Sequence, residues 1–191
     1  GEILIFGQPV KIKSPKHAIK SGMAMVTEDR KEFGLVLCRS IKENITLASL
    51  GDCAKGPFVI SKVENEACED ITKKLTVKMS GLRQLAGNLS GGNQQKVVLC
   101  KWMRTTPKIL ILDEPTRGID VGAKTEIYQL TRQFAAQGMA IILVSSELPE
   151  VMGMSDRILV MGDGEIRGEF IKDEFKQDDL LACALGGKKN E

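Results

Sequence analysis

Two stretches carry the residue types that chemistry needs. Asn88-Leu89-Ser90-Gly91-Gly92-Asn93-Gln94-Gln95-Lys96 is a glycine-rich turn that opens an apolar run, Val97-Val98-Leu99-Cys100. Ser90, Gly91 and Gly92 can present backbone N–H groups with little side chain in the way, at the positive end of a helix. That arrangement makes an anion site, most naturally for phosphate. The second stretch, Ile109-Leu110-Ile111-Leu112-Asp113-Glu114-Pro115, is an apolar run that ends in two carboxylates. It reads as a buried parallel strand delivering Asp113 and Glu114 to the C-terminal edge of a sheet, where α/β proteins bind ligands. Singly, each has a plainer reading: an ordinary turn for Ser-Gly-Gly, and caps of the next helix for the carboxylates. Together, about twenty residues apart and joined by an amphipathic helix, they form a specific pattern.

The elements that must position these residues follow from local signals. Gly1 to Phe6 alternates as a strand, Gly7-Gln8-Pro9 reads as a turn, and Val10 to Lys13 as a second short strand. Ser14-Pro15 starts a short helix that Gly22 ends, and Met23 to Val26 is a buried strand. Thr27 to Lys31 follows it as a charged loop, on the same sheet edge as the carboxylates. Ser40 with Glu43, and Ser61 with Glu64, are two capping boxes opening helices over Ile41–Ser49 and Lys62–Val77, with Gly51–Pro57 as a loop between. After the Asp-Glu strand come a helix from Val121 to Gln137, a strand over Ala140–Val144, and a strand pair around Gly162-Asp163-Gly164. A C-terminal helix over Gln177–Leu185 precedes a frayed tail, 186–191.

Composition narrows the classes. A chain of 191 residues, 42% hydrophobic and 27% charged, suits one globular domain. A net charge of +2 is too small to argue for nucleic acid or an anionic membrane surface. The five cysteines lack C-x-x-C spacing and read as reduced thiols; with the single His17, expected on an exposed helix face, they argue against zinc. Trp102 reads as core or interface rather than a base-stacking platform. No run of ~18 apolar residues suggests a membrane span.

The Leu89–Lys96 and Ile109–Glu114 stretches resemble the signature and Walker B motifs of ATP-binding-cassette (ABC) ATPases. The following Thr116-Arg117-Gly118-Ile119-Asp120 resembles the D-loop in the second cassette of ribose-, xylose- and galactose-type monosaccharide importers. The resemblance extends over nearly all of the chain. It implies a P-loop NTPase-like α/β fold with a mainly parallel sheet and short antiparallel elements. The α/β core would fall at 1–39 and 97–191, and a helical subdomain with the signature motif at 40–96.

The resemblance also implies roles. Asp113 would hold Mg²⁺ and Glu114 would polarise the attacking water. Asp120 would lie at a dimer seam. Ser90, Gly91, Gly92 and Asn93, the last where Gln is more usual, would bind the γ-phosphate region of an ATP held by an opposing cassette. Glu28 takes the place of the Q-loop Gln, and Ser146 the place of the switch His, which a serine cannot match in charge. The implied partners are a second cassette, membrane permease subunits and, indirectly, a periplasmic sugar-binding protein. The implied location is the cytoplasmic face of the inner membrane.

One motif is missing. No G-x-x-x-x-G-K-[ST] phosphate loop occurs; Gly51 to Gly56 has the glycine spacing but is followed by Pro57-Phe58. The expectation is therefore the C-terminal part of a longer ATPase, cut after the P-loop of its second cassette, with apolar sheet surface left exposed. Two other readings compete. One is a non-catalytic regulatory module derived from a cassette. The other is a soluble ABC-type ATPase working on DNA or ribosomes, which the near-neutral charge and the lack of a coiled-coil arm oppose.

Overall fold

A computed structural model describes residues 1–186. It opens with a hairpin of Leu4–Ile5 (β1) and Gln8–Pro9 (β2), reversed at Phe6-Gly7, both at positive φ (50° and 75°). Such a two-residue turn matches the twist of paired strands. It reverses the chain so early that the second strand is Gln8–Pro9 and not the expected Val10–Lys13. Helix α1 (Pro15–Lys20) begins as expected, with Ser14 Oγ accepting from the His17 N–H at 3.3 Å and Pro at its start. His17 is exposed. Gly22, at φ 78°, turns the chain into β3 (Met23–Val26).

The charged loop after β3 is shorter than expected. Asp29 Oδ1 accepts from the Lys31 and Glu32 N–H groups at 2.8 and 3.1 Å, capping one wide helical turn over Arg30–Gly34. These backbone donors hold the Asp29 carboxyl below its ordinary pKa.

The first capping box forms. Ser40 Oγ accepts from the Glu43 N–H at 3.3 Å, and Glu43 accepts from the Ser40 N–H at 2.9 Å, starting α2 (Ile41–Thr46). The second does not. A small hairpin, Ala54–Lys55 (β4) with Phe58–Val59 (β5), replaces the expected loop and turns at Gly56, φ 62°. Ile60 then becomes the cap position of α3 (Ser61–Lys74), with Ser61 already inside the helix. Glu64 is drawn away to Lys42 Nζ (2.6 Å) and Thr46 Oγ1 (3.1 Å) on α2, so it cannot fold back as a cap.

Helix α4 (Gly91–Met103) packs on both α2 and α3, and its Val97, Val98, Leu99 and Cys100 are all buried. It leads to β6 (Ile109–Asp113), α5 (Val121–Ala136) and β7 (Ala140–Val144). The sheet order is β3-β6-β7, with β3 and β6 parallel and Ala24 beside Leu110, Val26 beside Leu112. Those four side chains are buried, whereas Met25 and Ile142 are 41% and 50% exposed.

A second compact unit begins at Leu143. It contains α6 (Leu148–Met154), which the sequence reading missed, the antiparallel pair β8 (Arg157–Gly162) and β9 (Glu165–Ile171), and α7 (Gln177–Ala184). Asp163 and Gly164 sit at φ 49° and 81°, the hairpin turn expected there. Ile158, Val160, Phe170, Leu180 and Cys183 form its core, with Leu148 and Val151 packed against them. Of the expected tail, Gly186 is the last described residue and 187–191 lie outside the described residues.

The first capping box carries a pH signature. Its Ser40 hydroxyl and amide hold the Glu43 carboxyl below its ordinary pKa. A depressed folded-state pKa stabilises above the unfolded value and is lost as pH falls through the folded one. Ser40→Ala is expected to lower unfolding stability by about 1 kcal/mol near neutral pH. Urea titrations should find this difference shrinking as Glu43 becomes protonated.

Candidate functional site

The first turn of α4 is built from Ser90 outward. Ser90 is extended (φ −61°, ψ 157°) at the cap position, and its side chain makes no cap bond to the helix backbone. Its carbonyl accepts the first helical bond, from the Gln94 N–H at 2.9 Å. The N–H groups of the first turn of any helix have no partner within it, which leaves them to an anion.

The two glycines are required for different reasons. A Cβ at Gly91 would come within 2.8 Å of Arg30 Nη2 and 3.3 Å of the Gly118 carbonyl oxygen. A Cβ at Gly92 would collide with the Cβ of Ala123 on α5 and sit 3.6 Å from Ile119 Cγ2. Gly91 therefore admits a guanidinium beside the turn, while Gly92 lets α5 approach α4.

Arg30 ties three loops together. It leaves the end of β3, donates from Nη1 to the Arg117 carbonyl at 2.8 Å and from Nη2 to the Gly118 carbonyl at 3.1 Å, and lies against Gly91. Both carbonyls belong to the loop that follows Asp113-Glu114. Arg30 Nε is buried without a hydrogen-bond partner. Beside it, Glu28 forms an ion pair with Arg117, both side chains being largely exposed. An exposed pair of that kind contributes at most about 1 kcal/mol.

Asp113 ends β6. Glu114 follows at φ 45°, a left-handed conformation that a non-glycine residue adopts at a cost of order 1 kcal/mol. Strain of this kind clusters where a side chain must be aimed. The capping role weighed for these carboxylates falls instead to Asp120, whose Oδ1 accepts from the Ala123 N–H at 2.9 Å and starts α5. Asp113 and Glu114 are hard oxygen donors, and the described residues contain no cluster of three or more His, Cys, Asp or Glu suited to a metal. The set fits Mg²⁺, which binds one or two carboxylates and completes its shell with water and phosphate oxygens.

Asn93 turns inward. Its Nδ2 donates to Ser90 Oγ at 2.9 Å, and its Oδ1 accepts from the Lys78 N–H at 2.7 Å. One turn further on, Lys96 is 1% exposed. Its Nζ donates to the Thr76 carbonyl (2.9 Å) and hydroxyl (3.2 Å) and pairs with Glu126 of α5 at 2.7 Å. The Lys96 ammonium holds the Glu126 carboxyl below its ordinary pKa.

Ser146 is exposed after β7, in the second unit. Its neighbour Ser145 donates to Glu150 Oε2 at 2.5 Å and accepts from the Glu147 N–H at 3.0 Å, so that loop is organised around Ser145.

Within the first unit the structure thus joins the Ser90–Asn93 turn to the loop after Asp113-Glu114. Sequence reasoning missed the agents of that joining: Arg30, Lys96, Glu126 and the Lys78 amide. Arg30 lay inside a charged stretch with no spacing signal, and Lys96 was read only as the end of a motif.

Residues 1–117 match the family model described as ABC transporter. The chain is 52% identical over 187 residues to a putative ribose/galactose/methyl galactoside import ATP-binding protein of Rhizobium etli, covering 98% of this chain and 36% of that protein. It is 54% identical over 188 residues to the xylose import ATP-binding protein of Geobacillus kaustophilus, covering 98% and 37%. The chain spans little more than a third of these relatives' length. A nucleotide-free ATP-binding cassette from an ABC transporter superposes with a TM-score of 0.76 at 19% identity, over 94% of this chain and 75% of that one. That likeness establishes the fold.

The two-glycine logic is testable. Gly92→Ala is expected to destabilise the chain by about 1–3 kcal/mol through overpacking. Ala123→Gly in the same molecule should recover part of it, less the roughly 1 kcal/mol a helical glycine costs. Thermal melts of the single and double variants measure both.

Proposed function

The chain belongs to the ABC transporter family, and on that premise we propose that it is part of the ATP-binding subunit of a monosaccharide importer, acting on a nucleotide held chiefly by another cassette. One observation carries this reading. The glycine turn at Ser90 is locked by Arg30 to the loop after Asp113-Glu114. A helix N-terminus locked to the loop after the two carboxylates suits contact with the phosphates of a bound nucleotide.

Roles follow from chemistry. Ser90 and the first-turn amides of α4 donate to phosphate oxygens, and the Arg30 guanidinium adds positive charge nearby. Asp113 supplies an oxygen donor to Mg²⁺, which when bound neutralises phosphate charge. Glu114 would accept a proton from water at this cassette's own nucleotide, a separate and weaker site in which Ser146 stands where the family has a histidine, and not at the one the Ser90 turn serves. Asp120 caps α5 at the rim that would face a second cassette. Glu28 is engaged by Arg117, a role unlike that of the glutamine it replaces. Ser146 offers a hydroxyl but no titratable ring.

The partners in this reading are a complementary cassette and membrane permease subunits, with a periplasmic sugar-binding protein beyond them, at the cytoplasmic face of the inner membrane. No helix among the described residues is long and apolar enough to cross a membrane. The names of the relatives support a pentose or hexose substrate.

A non-catalytic module is the second reading, favoured by Ser146 standing where the family has a titratable switch histidine. One comparison separates the two. In the assembled importer, Ser90→Arg is expected to abolish ATP hydrolysis, while Glu114→Gln leaves a substantial fraction. The reverse pattern would assign catalysis to the wrong half of the site, and indifference to both would support the module.

A further inference from the structure

We propose that Asn93 is a positioning residue that fixes the polarity of the Ser90 hydroxyl, turning it into an obligate donor toward the anion. The inference rests on the importer reading above and concerns how its key hydroxyl is aimed.

The logic runs from a group whose role cannot change. A backbone N–H can only donate, so the Lys78 amide, 2.7 Å away, requires the oxygen of the Asn93 amide on its side. That fixes the orientation of the side chain. The Asn93 NH₂ must then face Ser90 Oγ, at 2.9 Å. A hydroxyl that accepts there directs its own proton elsewhere, and no cap bond to the α4 backbone claims its oxygen. Asn93 therefore uses one N–H on Ser90 and one oxygen lone pair on Lys78, and in this proposal its effect on phosphate runs through Ser90.

The Lys78 amide is held in place in turn. Helix α3 ends with Thr76 N–H donating to Lys73 (3.2 Å) and Val77 N–H to Thr72 (2.9 Å), the pattern of a left-handed helix end. Thr76 sits at φ 50°, where glycine is usual and a β-branched residue is rare. Lys96 Nζ grips both the carbonyl and the hydroxyl of Thr76. The buried ammonium of α4 therefore holds the strand of backbone that orients Asn93.

A double-mutant cycle on ATP hydrolysis by the assembled importer tests the proposal. Ser90→Ala and Asn93→Ala are each expected to lower kcat/KM on the order of tenfold, the scale of one lost bond to a charged group. In the Ser90→Ala background, Asn93→Ala should add nothing, because its only route is gone. A further loss there, or a silent Asn93→Ala, overturns the proposal. A silent Ser90→Ala sinks the underlying functional reading and this inference with it. Asn93→Asp is the control for folding: it still accepts from Lys78 but cannot donate to Ser90. It should lose activity like Ser90→Ala at both low and raised ionic strength. Retained activity, or a loss that salt abolishes, contradicts the assignment.

Discussion

A buried ammonium must be surrounded by acceptors or it costs several kcal/mol. Lys96 meets that demand with the Thr76 carbonyl, the Thr76 hydroxyl and the Glu126 carboxylate. These three acceptors come from the end of α3 and from α5, while the lysine belongs to α4. The charge therefore fixes the mutual placement of three segments that no strand pairing joins. Apolar packing along Val97–Cys100 holds α4 in the core, but apolar contact is non-directional. The directional bonds to Lys96 tie one face of α4 to the end of α3 and to α5.

The same economy governs the opposite side of the turn. Gly92 lets Ala123 close on α4, and Gly91 lets Arg30 reach the carbonyls of Arg117 and Gly118. The loop after the carboxylates and the glycine turn at Ser90 are thereby tied to one another. In the role proposed for this turn, donors held in place would need no rearrangement when phosphate charge arrives. Glu114, strained at φ 45°, lies at the root of that loop.

Much of the frame was legible because it depends on local signals. Met23–Val26 and Ala140–Val144 were read to the residue, and the Ser14 and Ser40 caps formed as their spacing implied. The errors arose where tertiary partners overrode a local motif. Glu64 abandoned a capping box for Lys42 and Thr46, and the Ile60 N–H was taken by the Cys53 carbonyl at 2.7 Å. The site divided the same way. The Ser90–Gly92 turn and the Asp113-Glu114 pair are contiguous and could be seen in sequence. Arg30 meets Arg117 and Gly118 across 87 and 88 residues, a pairing that no single sequence displays. Asn93 was visible as a motif position, yet its partner is a backbone amide, which leaves no trace in side-chain composition.

The central claim is that a complete anion-binding turn here serves a nucleotide cradled chiefly by another cassette. Calorimetric titration of this chain with Mg-ATP, alone and beside the complementary cassette, tests it most directly. The account predicts no measurable binding by the chain alone, and binding once the two are assembled. Tight binding by the chain alone would contradict it, and would mean that a triphosphate cradle exists within these residues.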